Sequence, residues 1–163
     1  MKDKFLCVMA GYDDNTEKKL SDIQNKLYEK GFVGNHTKDL PQHITLGSFP
    51  VNKEEDIVNL LKKVAKETRQ FEINFNHIGI FGGSQVLFIA PDTNYSLLKL
   101  KEKFGDSFDW TPHTTMLIDE AEIVFRAIPI VAEYFKSFQG QVQTIHLYEF
   151  WPTRHILTIT LEQ

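Results

Sequence analysis

Strand-like and helix-like segments run through this chain twice in the same order, and that repetition constrains the fold more than any single motif. An apolar run from Phe5 to Ala10 precedes a helical stripe in Thr16 to Lys30, where Leu20, Ile23 and Leu27 share a face and Gly31 follows as a C′ glycine. A short strand, His43 to Phe49, leads to a second helix, which Asn52 and Glu55 would open as a capping box ahead of Ile57, Leu60, Leu61 and Val64. Phe71 to Phe81 reads as a strand, and Gly82-Gly83-Ser84 turns it back. The second pass consists of a strand Val86 to Ala90, a helix Thr93 to Phe104, a strand His113 to Ile118, a helix opened by Asp119 and Glu122 with Pro129 as a kink, and a strand Gln141 to Phe150. His43 and His113 lie 70 residues apart, and His77 to Phe81 matches His146 to Phe150 at a spacing of 69. An internal duplication, about 4–82 and 85–151 with a closing strand 154–161, predicts two lobes about an approximate two-fold axis. No Pro/Gly/Ser-rich stretch divides the halves, so 1–163 is expected to form a single two-lobed domain.

Composition narrows the function class. With 42% hydrophobic and 25% charged residues, the chain has ordinary globular composition. Its apolar runs are too short to span a membrane, which takes roughly 20 residues. Met1 to Lys4 carries an acid and runs straight into a strand, so no signal peptide is expected. The single cysteine, Cys7, sits in an apolar run and suits a reducing compartment, so a cytoplasmic protein is expected. A net charge of −4 argues against a sleeve for long nucleic acid but is compatible with a small phosphorylated ligand or an RNA end.

The equivalent third elements of the two passes begin Gln42-His43-Ile44-Thr45-Leu46 and Pro112-His113-Thr114-Thr115-Met116. On a strand, side chains alternate, so His43 shares a face with Thr45 and His113 with Thr115. Six histidines predict fewer than one His-x-Thr triplet by chance; both triplets present here open the same element of the repeat, each with a proline just upstream, Pro41 or Pro112. Two-fold related lobes would turn the pairs toward each other across a cleft.

These two motifs resemble those of the 2H phosphoesterase superfamily, which includes the 2′-5′ RNA ligase-like proteins and the 2′,3′-cyclic phosphodiesterases. The resemblance covers nearly the whole chain. It implies an α+β fold of two pseudo-symmetric lobes, each a small, mostly antiparallel sheet with helices on its outer face. It also implies a phosphate held among His43, Thr45, His113 and Thr115, with no metal and no cofactor, in a monomer. Histidine changes protonation near neutrality, so one ring can take a proton from water while the other gives one to a departing ribose oxygen; threonine hydroxyls can donate to the non-bridging oxygens. The resemblance makes His113 the base and His43 the acid for hydrolysis of a 2′,3′-cyclic phosphate or a 2′-5′-linked phosphodiester, with the roles exchanged for the reverse reaction; 2′-5′ RNA ligase activity is a further expectation. Another small cyclic phosphate, such as that of ADP-ribose, and a nucleotide- or RNA-end-binding module remain as alternatives. The sequence departs from the family in two ways: Thr114 stands where an apolar residue is usual, and Leu117-Ile118-Asp119 offers no phosphate-binding arginine.

The other signals read more plainly. His77 and His146 have Gly79 and Tyr148, not a threonine, two residues on and are expected to pack, and His36 and His155 to be ordinary surface or edge residues. No histidine or cysteine spacing resembles a metal site. Lys62-Lys63 and Lys99, Lys101 and Lys103 read as solvated helix faces. Phe49, Trp110, Phe150 and Trp151 are aromatic residues near the motifs; Trp110, three residues before His113, is the candidate to line the cleft and bind substrate.

Overall fold

The computed structural model describes residues 3–163, so Met1 and Lys2, where the expected leaderless start begins, lie outside the described residues. Seven strands and four helices follow in chain order: β1 Phe5–Tyr12, α1 Asp14–Glu29, β2 His43–Pro50, α2 Glu54–Glu67, β3 Phe71–Ile80, β4 Val86–Pro91, α3 Tyr95–Glu102, β5 Thr114–Ile118, α4 Ala121–Tyr134, β6 Phe138–Phe150 and β7 Arg154–Thr160. All the ladders between them are antiparallel, in the order β2-β1-β6-β3-β4-β5, with β7 also on β6. The sheet divides into β2-β1-β6 and β5-β4-β3, so the third strand of each sequence half pairs with the first strand of the other half. The lobes are therefore stitched together by exchanged strands.

β1 shows why its sequence is a continuous apolar run rather than an alternating one. Leu6, Val8, Ala10 and Tyr12 enter the main core beneath the helices, whereas Cys7 and Met9 join Phe150 in a second, smaller cluster on the opposite face. A strand buried on both faces has no position for a polar side chain. α1 begins where Asp13 accepts a hydrogen bond from the Thr16 amide (3.1 Å), and it buries Leu20, Ile23 and Leu27. Gly31 takes a positive φ of 89° just after it, as the C′ reading requires.

Three helix starts differ from the sequence reading. Val51–Lys53 forms a 3-10 turn and α2 begins at Glu54 without a side-chain cap, its first turn carrying Glu54, Glu55 and Asp56 in favourable alignment with the helix dipole. α3 begins at Tyr95 rather than at Thr93, with Asn94 capping it by accepting from the Leu97 amide (3.0 Å). Asp119 accepts instead from the Glu120 amide (2.8 Å), and α4 starts at Ala121 and runs on past Pro129. Lys101 also departs from the solvated reading: it is buried, with its ammonium 5.8 Å from the centre of the Trp110 ring.

The two lobes carry the same irregularity at the same place. In β1–β2, Met9 lies opposite Thr45 and Val8 opposite Gly47, leaving Leu46 unpaired. In β4–β5, Phe88 lies opposite Thr115 and Leu87 opposite Leu117, leaving Met116 unpaired. A bulge thus follows each His-x-Thr directly, ending the regular pleat where the motif ends.

Candidate active site

The two motif histidines are held alike. His43 Nδ1–H donates to the Pro41 carbonyl (2.7 Å) and His113 Nδ1–H to the Thr111 carbonyl (2.9 Å), each two residues upstream. Both rings are thereby oriented with Nε2 free to act as acceptor when neutral and as donor when charged. Burial lowers the pKa of His43, opposed by the hydrogen bond to Pro41 and reinforced by the nearby His113. Burial likewise lowers that of His113, opposed by its bond to Thr111. Charge on one ring therefore disfavours charge on the other, which suits a pair that works with one ring neutral and one protonated.

Thr114 explains its own departure from an apolar residue. It is 1% exposed, its hydroxyl donates to the His43 carbonyl (3.0 Å), and it accepts from the buried Tyr12 hydroxyl (2.6 Å). The middle residue of the second motif thus ties it to the backbone of the first, across the lobe boundary. On the other side of the motif, the Glu17 carboxylate of α1 accepts from the Gln42 amide at 2.9 and 3.0 Å, fixing the entry to β2. Neither Tyr12 nor Glu17 carries a motif signal in the sequence.

Beneath the motifs the lobes differ. Thr45 faces Met9, which faces His146; Thr115 faces Phe88, which faces Gly79. The counterpart of His146 is therefore Gly79, two residues along from His77. His77 is exposed on β3 rather than packed. His113 rests on an aromatic platform, 4.7 Å from Phe81 and 5.3 Å from Phe88 between ring centres. On the His43 side, Nδ1 of the buried His146 shares one hydrogen bond with the Thr158 hydroxyl (2.8 Å), which also meets His155 Nε2 (2.8 Å). Burial first, then His43 and His155, push the pKa of His146 down to about 4. Its ring lies over Gly11, where a Cβ would come within 2.3 Å of Nε2; Gly79 in the other lobe similarly leaves room for the Phe88 ring, which a Cβ there would meet at 2.3 Å.

A cavity of about 340 Å³ opens on this face, lined by His43, Thr45, Thr114 and Thr115 and extending to the 36–42 loop and to Phe5, Phe150 and Trp151. His113, one residue before Thr114, lies outside that lining. His36, expected at an ordinary surface, is half-buried in the cavity wall. Its Nε2 lies 2.7 Å from the Tyr28 hydroxyl, 3.2 Å from Lys38 Nζ and 3.3 Å from Gln24 Nε2, and burial, then the Lys38 charge, lowers its pKa to about 4. Among the described residues, Lys38 is the one lysine or arginine lining the cavity, and it feels the charge of Asp119 just beyond the second motif. Trp110 stands elsewhere: its indole N–H donates to the Thr45 carbonyl (3.2 Å) and its ring packs on the main core, outside the cavity lining. Among the described residues, no group of three or more His, Cys, Asp or Glu could hold a metal ion, and no helix is long and apolar enough to cross a membrane.

Comparison with known proteins bears on the fold and the family. No curated protein matches the chain. Among solved structures it is similar to apo E. coli LigT, at 16% identity and a TM-score of 0.66 over 100% of both chains. E. coli LigT complexed with 3′-AMP gives 17% and 0.67 over 99% of this chain and 100% of that one. The Thermus thermophilus protein TT0787 gives 14% and 0.64 over 96% and 97%. At such identities the likeness is one of fold. The profile of the 2′-5′ RNA ligase superfamily matches residues 12–150, a span that holds both His-Thr pairs and every strand but β1 and β7, the first and last in sequence, and the chain belongs to that superfamily.

Proposed function

We propose that this protein is a metal-independent phosphodiesterase that opens a 2′,3′-cyclic phosphate or a 2′-5′-linked phosphodiester of a nucleotide or RNA end. The observation that carries this reading is the matched presentation of two imidazoles, each with Nδ1 spent on a main-chain carbonyl and Nε2 free, beside Thr45 and Thr115. In the hydrolytic direction, neutral His113 takes a proton from water as the water oxygen bonds to phosphorus. The bond from phosphorus to the ribose oxygen breaks, and protonated His43 supplies the proton that oxygen needs. Thr45 and Thr115 donate to the non-bridging oxygens as charge gathers there. A nucleoside hydroxyl that attacks phosphorus in place of water, giving its proton to His113 while the same ribose oxygen leaves with the proton from His43, joins two ends instead, which is the ligase direction. Family membership supports phosphodiester chemistry, and the E. coli LigT complexes with 3′-AMP and ATP support a nucleotide-sized ligand. A monomer in a reducing cytoplasm fits a chain whose only cysteine is buried.

The test is turnover, in EDTA, of the four nucleoside 2′,3′-cyclic phosphates, an RNA ending in a cyclic phosphate, 2′-5′-linked dinucleotides and ADP-ribose cyclic phosphate. Cleavage that His43→Ala and His113→Ala each reduce by at least about a hundredfold is expected, the scale of a lost acid or base. Activity that survives both substitutions would sink the two-histidine reading. Binding without turnover by the folded wild type would favour a binding module.

A further inference from the structure

Resting on that reading, we infer that Gln24 and Trp110 are a reciprocal pair of positioning residues. Each reaches out of its own half of the chain to hold the outer edge of the other half's motif strand, and together they set the separation of the Thr45 and Thr115 hydroxyls. The sheet order explains why such ties are needed. β2 and β5, the strands that carry His-x-Thr, are the two terminal strands of the sheet, so each has a ladder on one side only. The bulge behind each motif interrupts even that ladder, leaving Leu46 and Met116 without a partner. An edge strand with an interrupted ladder is poorly held by its backbone alone. Two hydroxyls acting on one phosphate must nevertheless keep their places, since a misplacement of about 1 Å can cost about 10²-fold in rate.

The outer carbonyls are satisfied from the opposite half. On β2, the carbonyl of Thr45 itself accepts from the indole N–H of Trp110, which stands between α3 and β5 (3.2 Å). On β5, the carbonyl of the buried Met116 accepts from Nε2 of Gln24 on α1 (3.0 Å). The Ile118 carbonyl, two residues on and so on the same edge, accepts from the Asn35 amide (2.7 Å). Burial aims the Trp110 N–H, because its ring packs on the main core with the Lys101 ammonium 5.8 Å from its centre. Gln24 is aimed by a second bond: its Oε1 accepts from Gln42 Nε2 (2.7 Å), and the Gln42 amide is the one that Glu17 holds. One side-chain amide thus donates to the residue after Thr115 and accepts from the residue before His43. A glutamate there could accept but not donate, and a leucine could do neither. Gln24 lines the cavity, yet its amide is spent on Met116 and Gln42 rather than turned to a ligand, so it acts through the backbone of the motifs.

The experiment uses Gln24→Leu and Trp110→Phe, which keep most of the bulk and remove the hydrogen bonds. On uridine 2′,3′-cyclic phosphate each should lower kcat about five- to tenfold, with KM within about twofold and the pH limbs unmoved because both Nδ1 anchors remain. The stereochemical reading separates positioning from mere stability. In the two diastereomers of uridine 2′,3′-cyclic phosphorothioate, sulfur, a weak hydrogen-bond acceptor, replaces one or the other non-bridging oxygen. The ratio of their rates should shift in Gln24→Leu in the direction set by Thr115→Val, and in Trp110→Phe in the opposite direction, set by Thr45→Val. Gln24→Glu, which keeps the acceptor for Gln42 but cannot donate to Met116, should behave as Gln24→Leu. Ratios left at the wild-type value, or moved the same way by both variants, overturn the inference while leaving the proposed reaction standing. A second measurement needs no turnover: amide hydrogen exchange should quicken about tenfold over 114–118 in Gln24→Leu and over 43–47 in Trp110→Phe, beyond any change in the rest of the sheet. That local loss of protection, in a protein that turns over none of these substrates, would retain the ties and remove the proposed reaction. Exchange unchanged in those strands, or raised evenly across the sheet, would remove the ties.

Discussion

Thr114 gives the sharpest test of how the two motifs are held together. Valine has nearly the same shape but removes the hydroxyl that donates to the His43 carbonyl and accepts from Tyr12. Tyr12 is only 7% exposed, so its O–H would be left buried without an acceptor. An orphaned buried donor costs about 1–3 kcal/mol and a lost neutral hydrogen bond about 1 kcal/mol, so Thr114→Val should destabilise by about 2–4 kcal/mol. At a urea dependence of about 2 kcal/mol/M, the unfolding midpoint should fall by about 1–2 M. Adding Tyr12→Phe removes the orphan, because deleting both partners is far cheaper than deleting one. The double variant should therefore recover part of the loss, with a coupling of about 1–2 kcal/mol. Urea unfolding followed by circular dichroism on the wild type, both single variants and the double variant closes the cycle, and kcat read in parallel should fall in Thr114→Val as His43 loses its anchor. An unchanged midpoint in Thr114→Val, or a double variant less stable than the single, would refute this account.

Two further outcomes follow from the surroundings of the motifs. Gly11→Ala places a Cβ 2.3 Å from both His146 Nε2 and Thr144 Oγ1, so it should destabilise by about 1–3 kcal/mol and depress turnover by disturbing the floor beside His43, read by the same unfolding and kinetic assays. His36 and His146 are held near 4, below the value of about 6.5 they regain on unfolding, so as pH falls from 6.5 to 4 the unfolded chain takes up protons that the folded one refuses. Stability should therefore be lost across that window, and a His36→Gln/His146→Gln variant should show a flatter decline of urea midpoint with pH; parallel curves would contradict the assignment.

The motifs were legible because they combine two local periodicities. Alternation on a strand puts His43 with Thr45 and His113 with Thr115, and the repeat marks the two pairs as equivalent. The β1 apolar run, the α1 stripe with its Gly31 end and the turn before β4 are likewise local, set by side-chain spacing and backbone freedom. Helix starts were less legible, since a cap depends on where the chain enters the helix: Asn94 reached the Leu97 amide and Thr93 did not. Residue matching between the halves also misplaced a partner, pairing His146 with His77, because each sequence alignment is blind to the bulges that reset the register.

What the sequence determined by itself, then, was the set of elements and the identity of four polar side chains, because both depend on neighbours within a few residues. Tertiary structure decided the rest. Strand exchange placed β6 beside β1 and β3 beside β4, which brought His146 over Gly11, Phe88 over Gly79 and the Thr114 hydroxyl onto the His43 carbonyl. The same packing put Trp110 behind the site and Trp151 in front of it. No spacing along the chain carries such contacts, which join residues as distant in sequence as Gly11 and His146; what selects them is the burial of apolar surface together with the need to satisfy each polar group caught inside it.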